Sequence, residues 1–522
     1  MMTGGSTISC RVYTLKIADH TYFIVLVQSA QTSLSEEMDA DQIKFAAALT
    51  AGALDFNHMI NTGALSQDTI KGQPLCMKQY DGLFGTCRIP GVTKDTIAQT
   101  RSRHIVVVSN NHFYQVNVLN DYEIPIPVDA LYNHLEYVNQ ATKLPDSPVG
   151  LLTTENRDTC GREYGRLRAN PTNQKTFDAI NSAIFLLCLD SAPIINAAIH
   201  PAQNALLGGG SAYNSGNRWF YKTIQLFVGS DGKVGAVYDH TITDGGPRGR
   251  MLTHAFTHAK KHCSFNPNAE HLEDAAKPTK LTFQIDSVSH AAIASAGSHI
   301  DMYCKDVQLS TLRFENYGKN FLKVNGISPD GFIQMAIQLT NFRLFGRAMP
   351  SRETASLRQF RYGRTDFIRA VSEASDRFVR SMMVSPNNMT TLQFLTDAIK
   401  THRQYTNFTK TGNGIDRHLS ALKLMAIENG QPVPQFFQDP AYIKTQQFKT
   451  ISSQITLNQV CGTFAAPKME NAYGVYYNVQ DNHLFFTVST YKPSNGVLAD
   501  TYTAALESSL LDMSSVKRLR GS

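Results

Sequence analysis

The spacing of apolar residues changes period several times along the chain, and each change predicts an element. Over residues 41–60, Ile43, Ala46, Ala47, Leu54 and Phe56 supply much of the apolar face of an amphipathic helix. Residues 104–109 and 112–119 alternate β-branched and aromatic positions with polar ones across Asn110-Asn111, the pattern of a hairpin. A helix is predicted over 176–189, then a strand pair, the second strand passing through Gly235-Ala236-Val237 into a turn closed by Gly245 and Gly246. After the charged, proline-containing connector at Lys277-Pro278, residues 281–285 open a second series of strands and helices. Ser328-Pro329-Asp330 caps a helix that carries Phe332, Met335, Ala336 and Leu339. Residues 473–479 and 484–491 predict a late strand pair, and 498–513 a closing helix.

This succession predicts an α/β protein of two domains, residues 1–280 and 281–522, each a mixed β-sheet flanked by helices. A chain of 522 residues is too long for one compact core, which agrees with two. No apolar run approaches the length that spans a bilayer: residues 22–27 are too few, and 184–189 continue a helical pattern among polar neighbours.

The formal charge of +6 is mild for this length, and no dense Lys/Arg stripe is interleaved with aromatics, which argues against a nucleic-acid partner. A modest positive surplus suits a polyanionic small ligand. The eight cysteines form no Cys-x-x-Cys pair and no secretory signal precedes them, so reduced thiols and an intracellular setting are expected, and the sequons at Asn388 and Asn407 carry no weight. Cys188 is expected in the core, within the predicted helix. His254, His258 and His262 recur every four residues, but no carboxylate or cysteine completes a ligand set; they read as a solvated helix face, and no metal is expected.

The stretch richest in chemistry is Tyr238-Asp239-His240-Thr241-Ile242-Thr243-Asp244-Gly245. A histidine at a strand end can take a proton from a hydroxyl or thiol near neutral pH, and a carboxylate four residues on can fix a cation or hold the turn. Taken alone, a partly buried histidine and a turn-capping aspartate are equally open readings. The surroundings decide. Gly208-Gly209-Gly210-Ser211, Asn217-Arg218-Trp219, the His240 turn, Gly363-Arg364-Thr365-Asp366, Ile415-Asp416-Arg417-His418, Ser453-Gln454 and Tyr473-Gly474-Val475 occur in the order found in the choline/carnitine acyltransferases. The chain resembles that family from about Gln42 to about Met513, most closely its carnitine acetyltransferase branch.

The resemblance implies two similar chloramphenicol-acetyltransferase-like domains with a tunnel between them. It also implies reversible transfer of an acyl group between coenzyme A and the carnitine hydroxyl, by direct attack without an acyl-enzyme. His240 is the implied base, Ser453 the donor to the oxyanion, and Asp244 an acidic partner expected to pair with Arg364. For coenzyme A, a co-substrate rather than a permanent cofactor, it points to Lys319, Lys323, Asp330, Glu353, Ser356 and Gln454. Thr365 and Arg417 correspond to residues that handle the carnitine carboxylate, and Arg417 is diagnostic because choline acetyltransferases lack an arginine there.

The acceptor site also departs from the family. Arg352 stands where a tyrosine is expected, Ile451 replaces the first serine of a Ser-Thr-Ser run, and Ala465 replaces an aromatic near the ammonium. These changes keep two other readings open, an acyltransferase for a different small hydroxylated acceptor and a non-catalytic acyl-CoA binder. Thr463 beside Gly462 stands where acetyl-specific members place a methionine, which predicts short to medium acyl chains with acetyl foremost. Residues 1–35 show neither the proline-rich entry nor the tryptophan-rich helix usual in the family, so a shortened or divergent start is expected. Neither an arginine-rich presequence nor a peroxisomal tripeptide is evident, and mitochondrial, peroxisomal and cytosolic settings stay open. A monomer with small-molecule substrates is expected.

Overall fold

A computed structural model describes residues 30–35, 41–191, 207–265, 277–454, 460–464, 469–491 and 493–518. Ala465 and most of the divergent N-terminal stretch lie outside the described residues, and at Gly462 and Thr463 only the backbone is described. The chain separates into two compact units. One takes in the described residues up to Gln67, then Met77 to Lys305, with Val460 and Cys461; the other takes in Asp68–Cys76 and the remaining described residues after Lys305.

The first unit is built on a mixed eight-stranded sheet. Its order is Thr279–Leu281, His112–Asn117, His104–Ser109, Leu186–Asp190, Ile224–Gly229, Val234–Asp239, Ala30–Ser35 and Val460–Phe464. Leu186–Asp190 is parallel to both neighbours, and the pairs flanking that centre are antiparallel. The Asn110-Asn111 hairpin forms as expected, both residues taking positive φ. The helix predicted over 176–189 ends early: Pro171–Ser182 is helical, and Leu186–Asp190, with Cys188, is a strand. A central strand buried on both faces reads as an unbroken apolar run, so its pattern lacks the period-2 signal that separates strand from helix.

The predicted N-terminal helix spans Gln42–Asn61, capped by the Asp41 carboxylate on the Lys44 N–H. It packs on the helix Gly245–His262, where a Cβ at Gly52 would stand 2.8 Å from the Ala255 carbonyl oxygen and from the His258 Cβ. His254 and His258 therefore lie at a helix–helix seam, while His262 is exposed, as a solvated face requires. His254 Nε2 meets Asp55 Oδ2 at 2.6 Å and its ring lies 5.4 Å from that of Phe56.

The units change over at Lys305–Asp306, later than the division expected after residue 280. Thr279–Leu281 joins the first sheet beside His112–Asn117 rather than opening a new one. Arg166 then ties Asp286 and Ser289, at the start of the helix Ser287–Asp306, to the same unit.

The second unit is built on a mixed six-stranded sheet ordered Val307–Phe314, Leu484–Tyr491, Tyr473–Val479, Thr450–Gln454, Ser351–Ser356 and Thr365–Arg369. The late strand pair matches its predicted bounds. The helix Pro329–Phe345, capped by Ser328, packs with Ala499–Arg518 over one sheet face, burying Phe332, Met335, Leu339, Tyr502 and Leu506 against Val475 and Val488. Among the described residues no helix is long and apolar enough to cross a membrane.

Candidate active site

The two units carry separate groups of predicted site residues. In the first, the fully buried strand Val234–Asp239 delivers His240 to the first position after its end. The turn is made by Asp239, whose Oδ1 accepts from the Thr241 N–H at 2.8 Å and from its hydroxyl at 2.5 Å, an Asx turn. Asp239 is held from behind by the buried Arg88, whose Nε donates to Oδ2 at 2.6 Å while Nη1 donates to Asp95 at 2.8 Å. Arg157 adds a further ion pair to Asp95 at 3.1 Å, and the Arg88 guanidinium lies 4.6 Å from the centre of the Tyr221 ring.

Asp244 closes the turn at the start of the helix Gly245–His262. Gln79 clasps it twice, its amide donating to Oδ2 at 2.9 Å and its carbonyl oxygen accepting the Asp244 N–H at 2.7 Å. The other oxygen, Oδ1, faces His240 Nδ1 at 3.6 Å, an electrostatic contact longer than a hydrogen bond. The imidazole is one-third exposed, so Nδ1 faces a carboxylate while the far edge with Nε2 points the other way. That is the orientation a general base needs. Arg364, the partner expected for Asp244, belongs to the other unit; within its own unit Asp244 is bound by Gln79 and faces His240.

The Asn217-Arg218-Trp219 run is scaffold for the same sheet. Arg218, fully buried, grips Asp190 with two hydrogen bonds of 2.8 and 2.6 Å. Trp219 sits in an aromatic cluster with Phe113, Phe177 and Phe283.

In the second unit the ladder register sorts the predicted residues. Successive side chains of a strand point to opposite faces and directly paired residues share one. Arg352 pairs with Arg369 and Ile451, Thr354 with Phe367, Ser356 with Thr365, Ile451 with Gly474 and Ser453 with Tyr476. Arg352, Ser356, Thr365, Phe367, Ile451, Ser453 and Tyr476 therefore share one face. Glu353, Ser452, Gln454 and Tyr477 share the other, the face under the helix Pro329–Phe345. Nothing local in Ser452-Ser453 tells the two serines apart, but the register does. Ser452 Oγ accepts from Gln334 Nε2 at 3.0 Å and Tyr477 Oη accepts from the same amide at 2.9 Å, while Ser453 faces away.

Under the helix a titratable cluster forms. His402 Nε2 lies 3.1 Å from Glu353 Oε2 and 3.8 Å from Asp330 Oδ2, and the Tyr477 hydroxyl donates to Asp330 Oδ1 at 2.6 Å. Burial alone would lower the His402 pKa, but its attraction to the Asp330 carboxylate and its hydrogen bond to Glu353 outweigh it and raise it to about 9. Burial, with the neighbouring Asp330 charge, pushes Glu353 above the ordinary carboxylate range. Burial also works to raise Asp330, yet its bonds to His402 and Tyr477 hold it below the ordinary value. The cluster is thus a protonated imidazole bracing two carboxylates. It is also the one His/Cys/Asp/Glu group among the described residues compact enough for a metal ion, and the imidazolium already supplies the cation it needs.

Asp366, which pairs with Ala355 and so shares the face of Glu353, ties Arg417 to the edge strand. Its Oδ1 accepts the Arg417 N–H at 3.2 Å, at the start of the helix Asp416–Glu428, and Arg417 Nε reaches the Thr365 carbonyl oxygen at 3.3 Å. Arg417 and Arg352 both stack on Phe367, with their Cζ atoms 4.4 and 3.8 Å from its centre. Such a contact is worth roughly 0.5–2 kcal/mol. Thr365, Arg417 and Arg352 are therefore brought together, as the sequence expects. Burial, then the neighbouring Arg417, lowers the Arg352 pKa to about 10.

Lys319 and Lys323 share one side of the short helix Lys319–Val324. Lys319 Nζ pairs with Asp481 at 2.6 Å, and Lys323 is exposed. Four residues that shape these groups were not singled out by sequence: Gln79, Phe367, His402 and Tyr477. His402 had a signal, since Leu395, Ile399, His402 and Thr406 fall on one buried helical stripe and a histidine there needs a partner.

Comparison with known proteins follows the same lines. The profile described as "Choline/Carnitine o-acyltransferase" matches residues 16–508. Carnitine O-acetyltransferase of Columba livia is 37% identical over 487 residues, covering 91% of this chain and 77% of that protein. Its counterpart from Homo sapiens is 35% identical over 484 residues, 90% of this chain and 77% of that one. Choline O-acetyltransferase of Gallus gallus is 32% identical over 492 residues, 91% of this chain and 76% of that one.

Proposed function

Because the chain belongs to the choline/carnitine O-acyltransferase family and is an acyltransferase, we propose that it moves short to medium acyl groups, acetyl foremost, reversibly between coenzyme A and the hydroxyl of carnitine. His240 takes the hydroxyl proton as the oxygen attacks the thioester carbon, and returns it to the departing coenzyme A thiolate. Ser453 donates to the oxyanion formed in between, a contribution of about 3 kcal/mol. Lys319, Lys323, Asp330, Glu353, Ser356 and Gln454 serve coenzyme A. Thr365, Arg417 and Arg352 serve the acceptor.

The observation that carries this reading is the His240 turn. A rigid strand end, an Asx turn and a doubly clasped Asp244 hold the imidazole with Nδ1 toward a carboxylate. Arg417, on the same aromatic ring as Arg352, supports an acceptor with a carboxylate over choline.

The test is release of free thiol from acetyl-, butyryl- and octanoyl-CoA, with and without L-carnitine. Wild type should release thiol only with carnitine, and His240→Ala should lower kcat by about 10²- to 10⁴-fold with circular dichroism unchanged. Carnitine-dependent release that survives the substitution would sink the assignment of the base.

A further inference from the structure

Resting on that reading, we propose that Arg352 is a specificity-determining residue that gives the acceptor subsite a second seat for an anion, so that the protein acylates hydroxylated dicarboxylates as well as carnitine.

Arg352 is a cation with no counter-ion among the described residues. Among the described residues, the Arg352 guanidinium makes no ion pair and no hydrogen bond, and its Nε is sealed from solvent with no acceptor. A guanidinium presents five donors in a fixed fork, so donors left without an acceptor, the sealed Nε above all, are unfavourable unless something else fills them.

The surrounding charges do not fill them. Asp416 is already taken by Arg369, at 2.7 and 3.2 Å. Tyr476, on the same sheet face, is held by burial as a neutral phenol with its pKa pushed to about 12. Arg417, the other charged neighbour, is a second cation on the same ring. Glu353, next in sequence, points to the opposite face and is engaged by His402. The rings of Phe367 and Phe448 lie 3.8 and 5.4 Å from Cζ, and a guanidinium stacked on an aromatic face keeps its in-plane donors for an anion.

Arg417 alone matches one acceptor carboxylate. Two guanidinium groups stacked on one phenyl ring match two carboxylates a few atoms apart. The chemistry of transfer does not change: the acceptor oxygen forms its bond to the acyl carbon, the carbon–sulfur bond breaks, and the hydroxyl proton passes through His240 to the thiolate.

The experiment measures kcat/KM with acetyl-CoA for L-carnitine, 3-hydroxybutyrate, malate and 3-hydroxyglutarate, in wild type, Arg352→Gln and Arg352→Tyr. The expected result is turnover of at least one dicarboxylate by wild type, with its kcat/KM relative to 3-hydroxybutyrate falling tenfold or more in both variants while KM for acetyl-CoA is unchanged. A ratio that stays within twofold overturns the proposal, as does wild type that turns over carnitine but neither dicarboxylate. Should no acceptor be turned over, the acyl-transfer reading fails separately. Calorimetric binding of 3-hydroxyglutarate to wild type and Arg352→Gln then decides: equal affinity, or none, overturns the second anion seat, and tenfold weaker binding by the variant supports it.

Discussion

Arg88 and Arg352 are both drawn in from solvent, yet the first meets two carboxylates and the second meets none among the described residues. In the first unit the buried guanidinium groups of Arg88 and Arg218 meet carboxylates, and the fully buried Lys222 is held by the Ile180 and Asn181 carbonyl oxygens. Arg88 with Asp239 and Asp95, and Arg218 with Asp190, are ion pairs whose geometry stays fixed whatever binds, which is what a turn presenting a base to a substrate requires. In the second unit, charges of like sign gather around a shared group. Two carboxylates crowd around one imidazole, and two guanidinium groups share a phenyl ring. The two units thus hold buried charge in two ways: opposite charges locked in ion pairs, and like charges gathered around one ring.

The sharpest way to break the comparison is Arg88→Leu. It strands Asp239, while Asp95 keeps Arg157, and should cost about 3–5 kcal/mol in urea unfolding, because removing one member of a buried pair leaves an uncompensated charge. Arg352→Leu should cost far less, since no pair is broken; equal losses would erase the distinction.

A smaller effect is expected from the His402 cluster. Folded His402 keeps its proton to about pH 9, whereas an unfolded histidine loses it near 6.5. Its contribution is therefore fully present below about pH 6.5 and lost as pH rises through about 9; the raised Glu353 pulls in the same direction at lower pH. Wild-type stability should fall by on the order of 2 kcal/mol across that window, measured as denaturation midpoints at several pH values. His402→Gln should flatten the profile, and a variant as steep as wild type would remove His402 as the cause.

The smallest effect concerns Lys319 and Lys323. Removing both should raise KM for acetyl-CoA about tenfold and leave kcat and the acceptor KM unchanged. An unchanged acetyl-CoA KM would mean that the Asp481 pair is structural and the lysines are not a phosphate site.

Much of this was legible beforehand, and for identifiable reasons. The Asn110-Asn111 hairpin and the Ser328 cap carry local chemistry that names them: turn residues, and an N-cap before proline. Leu186–Asp190 was misread because burial on both faces removes the alternation. Arg352, Thr365 and Arg417 were recognised through order along the chain, but their convergence on Phe367 depends on strand register, which no local window contains. Gln79 gave no signal, because its partner Asp244 is brought to it by the fold.

The strand Ser351–Ser356 interleaves two vocabularies. Arg352, Thr354 and Ser356 address one side of the sheet, and Ser351, Glu353 and Ala355 the other. Drift at Arg352 and Thr354 can therefore change one face without disturbing what lies beneath the helix, and a protein engineer could randomise 352, 365 and 367 as an independent module. A deletion of one residue in that strand would have the opposite outcome, transposing the two sets at once and scrambling both recognition surfaces in a single step.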